Sequence, residues 1–192
     1  IKKGDVADED ANFDDVIADA KQIFDFFMSK KQFNKIIFAG HSEGSLIGMI
    51  ASKDKADGYI SIAGAGRPID EILEEQVAKQ APFLKAELRK NFDILKSGKT
   101  FKLENQMLSA LLRESVQPYL ISWFKYDPRI EIKKLQIPVL IINGTKDLQV
   151  PESDAKLLHE AYPKSELVLI ENMNHVFKEI KQDADNAKSY NN

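Results

Sequence analysis

Five residues, Gly40-His41-Ser42-Glu43-Gly44, stand between the apolar run Ile36-Ile37-Phe38-Ala39 and the helix-like stretch Ser45-Leu46-Ile47-Gly48-Met49-Ile50. A strand that turns into a helix through so few residues leaves little choice of architecture, and points to an α/β chain. A serine at the tip of such a turn is held in a strained backbone conformation with its Oγ exposed. It is expected to need near-absent side chains two residues away on either side, which Gly40 and Gly44 supply. Ser42 is therefore a candidate nucleophile. A bare G-x-S-x-G also occurs in ordinary glycine turns; the flanking strand and helix are what separate this one from them.

An unassisted serine hydroxyl does not attack at neutral pH, so Ser42 requires a base and an orienting acid downstream, in the order Ser, Asp/Glu, His. The chain has three histidines. His41 lies within the elbow, and His159 sits in Glu152-Ser153-Asp154-Ala155-Lys156-Leu157-Leu158-His159-Glu160, which reads as a surface helix. His175 follows the apolar run Leu167-Val168-Leu169-Ile170 by a short polar loop, at the carboxyl end of a strand and on the same sheet edge as Ser42. Pro138-Val139-Leu140-Ile141-Ile142-Asn143-Gly144 reads as another buried parallel strand, with Asp147 just beyond it. Asp147 would accept the Nδ1 proton of His175 and so fix its tautomer.

With Gly40-His41-Ser42-Glu43-Gly44-Ser45, Asn143-Gly144-Thr145-Lys146-Asp147-Leu148-Gln149-Val150-Pro151 and Asn172-Met173-Asn174-His175 in view, the chain resembles an α/β-hydrolase of the bacterial esterase and serine-aminopeptidase-like group. The resemblance runs from about Asp14 to the last helix and is weakest across the middle. It implies a mainly parallel sheet flanked by helices, the C-terminal part of that fold, with a helical lid insertion. It also implies a serine esterase that cleaves small carboxylic esters through an acyl-serine intermediate, with the Glu43 backbone N–H as one oxyanion donor. Two other readings stay open: a peptidase or aminopeptidase on the same triad, and a non-catalytic binding module that keeps the frame while its serine is idle.

The departure from the family lies in front of the elbow. Before Ile36 there is only Ile1-Lys2-Lys3-Gly4-Asp5-Val6, an acidic stretch, and one amphipathic helix with apolar positions at Phe13, Val16, Ile17, Ala20, Ile23, Phe24 and Phe27. The family's earlier strands, and the loop that supplies the second oxyanion donor, have no counterpart. The expectation is a truncated chain with reduced activity, since losing one such donor costs roughly 10²–10³ in rate. The strand Ile36–Ala39 is then expected to form an exposed edge that recruits a second copy or an N-terminal companion segment, or promotes aggregation.

After the elbow, Gly58-Tyr59-Ile60-Ser61-Ile62-Ala63-Gly64 is a further strand, and from about Ile69 to Tyr126 the period becomes helical, broken once at Lys96-Ser97-Gly98-Lys99-Thr100. This divides the chain into 1–64, the nucleophile-bearing part of the core; 65–128, a helical lid; and 129–192, the part carrying acid and histidine. Within the lid, Trp123 and Met107 are candidates to line a substrate pocket, although aromatics at helical spacing are more often core. His41 is a third candidate, or packs beneath the turn. Asp70, Glu71, Glu74 and Glu75 could hold a peptide's ammonium group, or form a solvated helix face.

Composition narrows the alternatives. A chain of 192 residues, 43% hydrophobic and 30% charged, is ordinary for a globular domain, and a net charge of −3 with interspersed lysines gives no basic face for nucleic acid. No apolar run approaches the roughly 20 residues of a membrane span. With no cysteine and three scattered histidines, neither a thiolate metal site nor a cofactor is implied. Localisation stays open, with the cytoplasm as the default, because the expected truncation removes the stretch in which a signal peptide would be read.

Overall fold

A computed structural model of the chain describes residues 11–53 and 55–190. The leading segment Ile1–Val6 and most of the acidic stretch after it lie outside the described residues. The elements are α1 (Phe13–Ser29), β1 (Ile37–His41), α2 (Glu43–Ser52), β2 (Gly58–Ile62), α3 (Ile69–Gln80), α4 (Lys85–Lys96), α5 (Ser109–Leu112), α6 (Gln117–Trp123), α7 (Pro128–Ile132), β3 (Val139–Gly144), α8 (Glu152–Ala161), β4 (Glu166–Ile170) and α9 (Asp183–Ser189).

The chain divides into two compact units. One contains a single all-parallel sheet in the order β1-β2-β3-β4. Successive parallel strands require crossovers; α2 packs against β1 and β2, and α8 against β3 and β4. The inner strands show why their runs are so apolar. Tyr59 of β2 and Val139 and Ile141 of β3 are buried, together with Leu46 and Met49 of α2 and Ala155 and Leu158 of α8. Among the described residues β1 pairs with β2 alone, and Ile37 at its start is 54% exposed. Because all four strands run the same way, the loops after β1, β3 and β4 leave the sheet at one edge.

The other unit takes in residues 69–126 together with the start of α1. Leu84, Leu88, Phe92, Leu95, Leu103, Leu108, Leu112, Leu120 and Phe124 form its core, and each buried side chain of this kind contributes about 2 kcal/mol of transfer free energy before entropy is charged against it. One expectation needs correcting here. The region is not helical apart from one short break: no helix occupies residues 99–105, a stretch held by the buried Gln117. The Gln117 side chain accepts from Phe101 N–H (2.8 Å) and donates to Phe101 C=O (3.0 Å), as a neighbouring strand would. Phe101 and Leu103 lie two apart and both turn inward, a spacing that an extended backbone satisfies.

α1 forms over the expected apolar stripe, but only part of that stripe is covered. Phe13, Ile17 and Phe24 are buried, whereas Val16, Ile23 and Phe27 are exposed. Asn12 caps the helix by accepting from Asp15 N–H (3.0 Å).

Candidate active site

Ser42 occupies the N-cap position of α2 with φ 55° and ψ −120°, a conformation that costs a non-glycine residue about 1–3 kcal/mol. Serine is a favoured N-cap, yet here its side chain makes no capping hydrogen bond. The surrounding structure maintains the strain. Ser42 N–H donates to Ile62 C=O (3.0 Å) and Ser45 N–H to Ser42 C=O (3.0 Å). A Cβ on Gly40 would stand 2.0 Å from the Gly44 carbonyl oxygen, so the turn closes only over a glycine there. Gly44 differs from the expectation: a Cβ there would meet nothing within 4 Å. Its small size is not what lets this elbow close.

A buried hydroxyl chain underlies the elbow. Tyr59 Oη donates to Ser45 C=O (2.7 Å), which uses its single proton, so Ser45 Oγ donates to Tyr59 Oη (2.7 Å) and Ser61 Oγ to Ser45 Oγ (2.8 Å). Burial, opposed by the hydrogen bonds from Ser45 and Ser61, pushes the Tyr59 phenol above its ordinary range and keeps it neutral. The sequence carried a signal for this network: Tyr59 and Ser61 are two apart in a strand and so share a face.

Asp147 and His175 are both buried and are joined by His175 Nδ1–H donating to Asp147 Oδ2 at 2.8 Å. The other carboxylate oxygen accepts from the N–H groups of Gln149 and Val150, each at 2.8 Å. Those bonds orient the carboxylate, and the carboxylate orients the imidazole. In the neutral ring, a proton on Nδ1 leaves Nε2 as the acceptor, the state a general base needs.

His41, the last residue of β1, contacts the histidine loop directly. Its Nε2–H donates to the His175 carbonyl oxygen (2.8 Å), and its ring lies 4.7 Å from the His175 ring and 4.6 Å from Phe177. The residue preceding Ser42 is thus tied to the loop that carries His175. Phe177 is half exposed with φ 62°, a left-handed backbone rare for an aromatic, and nothing in the sequence pattern singled it out.

The remaining candidates belong to the helical unit. Trp123 stacks on Phe13 (5.1 Å between centroids, 7° between planes) within a cluster that includes Tyr119 and Tyr126. Met107 is 63% exposed. Asp70 is buried against Arg89 (2.9 Å) and Lys96 (2.6 Å), Glu74 is bonded to Arg89, and Glu75 pairs with Lys79 (2.7 Å). Burial works against the Asp70 charge, but the bonds from Lys96 and Arg89 outweigh it and hold the carboxyl below its usual range.

Comparison with known proteins gives the arrangement its context. No family model matches the chain. The esterase EstD of Thermotoga maritima is 28% identical over 169 residues, which is 84% of this chain and 40% of the relative. Est1E from Butyrivibrio proteoclasticus superposes with a TM-score of 0.54 at 19% identity, over 85% of this chain and 63% of that one. The chain has the fold of the C-terminal part of an α/β-hydrolase. A bromoperoxidase from Bacillus anthracis shares this α/β-hydrolase frame, with a TM-score of 0.55 and 19% identity over 99% of this chain and 74% of that one. The chain spans well under half the length of EstD and less than two thirds of Est1E. Among the described residues, no helix is long and apolar enough to cross a membrane.

Proposed function

We propose that the protein is a serine hydrolase of small carboxylic esters, in which Ser42 is the nucleophile, His175 the general base and acid, and Asp147 the residue that orients and electrostatically supports His175. The observation that carries this reading is the buried Asp147–His175 hydrogen bond at the sheet edge where the strained Ser42 turn also emerges. Ser42 Oγ attacks the ester carbonyl as His175 Nε2 takes its proton. The Glu43 backbone N–H, in the first turn of α2, holds the oxyanion. His175 returns the proton to the departing alcohol, then activates the water that releases the acid. The esterase identity of EstD agrees with this chemistry.

In this reading the helical unit serves as the lid, and Met107, exposed on that unit, is its candidate substrate-binding residue. Aminopeptidase activity fits less well: the acids that would anchor a substrate ammonium, Asp70 and Glu74, already neutralise Arg89 and Lys96.

Hydrolysis of p-nitrophenyl acetate and butyrate tests the assignment. A burst of p-nitrophenol followed by slower turnover, both lost in Ser42→Ala and in His175→Ala, is the expected result. Turnover that survives Ser42→Ala overturns it.

A further inference from the structure

The loop before Asp147 and the loop before His175 are joined through one residue of the last helix. Asn186 of α9 is buried. Its Nδ2 donates to the carbonyl oxygen of Lys146, immediately before Asp147 (2.7 Å), and its Oδ1 accepts from the Nδ2 of Asn174, immediately before His175 (3.4 Å). Asn174, also buried, reaches α9 a second time through Ser189 Oγ (2.7 Å). Its own Oδ1 accepts from Val176 N–H (3.1 Å) and Lys178 N–H (3.0 Å), winding the backbone tightly around His175. One side-chain amide therefore spans from the neighbour of the acid to the neighbour of the base.

We propose that Asn186, acting through Asn174, is a positioning residue that fixes the distance and angle between Asp147 and His175. The inference rests on the catalytic roles assigned above. The Asp147–His175 bond joins side chains from loops after two different strands, β3 and β4. Backbone bonds such as Lys146 N–H to Met173 C=O (3.0 Å) align the two loops near the sheet. Asn186 adds a tie on the helix side, so the pair is held from both sides. Buried amides of this kind have sharply directional partners and tolerate little displacement. Misplacing a catalytic pair by about 1 Å costs on the order of 10²-fold in rate.

The test combines kinetics with proton NMR on the whole chain. The His175 Nδ1 proton, held by Asp147, should give a low-field resonance that disappears in His175→Ala. In Asn186→Ala the expected results are a broadened or missing resonance, kcat for p-nitrophenyl butyrate down about tenfold to 10²-fold, and KM unchanged. Asn186→Asp keeps the shape and the acceptor for Asn174 but loses the donor to Lys146. It should fall between wild type and Asn186→Ala, and it supplies the test if the alanine variant does not fold. A folded variant with the low-field resonance and kcat of the wild type overturns the proposal, as does a rise in KM with kcat intact. Because the resonance is read without substrate, a wild-type chain that hydrolyses no ester would contradict the esterase reading while the spectra still decide the role of Asn186.

Discussion

At the scale of single residues, the two glycines of the elbow look equivalent in sequence and are not equivalent in space. Gly40 faces the Gly44 carbonyl so closely that Gly40→Ala must push the first turn of α2 away from β1, at an expected cost of about 3 kcal/mol. Gly44→Ala fills open space within a helix and should stabilise the chain by about 0.5–1 kcal/mol. Urea unfolding of both variants checks the contrast. The motif marks where the turn is but not which glycine contacts backbone, because that depends on the direction of α2. The same holds at the acid: Asp147 is legible from its place after an apolar strand, whereas its two backbone donors are visible only once the loop is folded. Asp147→Asn keeps the shape but allows the wrong imidazole tautomer, and is expected to lower kcat by about 10³–10⁴-fold with little change in KM.

At the scale of elements, the four strands could be read directly, since buried parallel strands are continuous apolar runs. The helical unit was harder to read, because Leu103, Met107 and Leu111 follow one another at a helical spacing of four, and the contact that decides against a helix at residue 101 comes from Gln117, sixteen residues away. α9 gave no functional signal at all; Asn186 acts through loops that lie 12 and 40 residues before it. The hydroxyl chain beneath the elbow gives an element-scale prediction. Tyr59→Phe leaves the Ser45 carbonyl and hydroxyl without that partner in a buried site, and should cost about 1–3 kcal/mol of stability. Asp70 gives another. Its folded carboxyl titrates below the unfolded value, so its contribution is fully present above about pH 4 and is lost as pH falls through the folded value. Thermal midpoints of wild type and Asp70→Asn between pH 2 and 6 should therefore converge at the acid end and separate above about pH 4.

At the scale of the whole molecule, the fold is that of an α/β-hydrolase, and the strand bearing the elbow has pairing capacity to spare. Among the described residues β1 is bonded on one side only and begins with an exposed Ile37. An edge of this kind recruits further strands. Sedimentation of the chain should show association that increases with concentration, and Ile37→Lys should reduce it by placing a charge on that edge. The central claim, that Ser42 is a nucleophile activated by the His175–Asp147 pair, is tested most directly by intact mass after treatment with a fluorophosphonate. The account predicts a single adduct on the wild-type chain, none on Ser42→Ala, and slow labelling of His175→Ala. An adduct that persists in Ser42→Ala, or a wild-type chain that takes none, would contradict it.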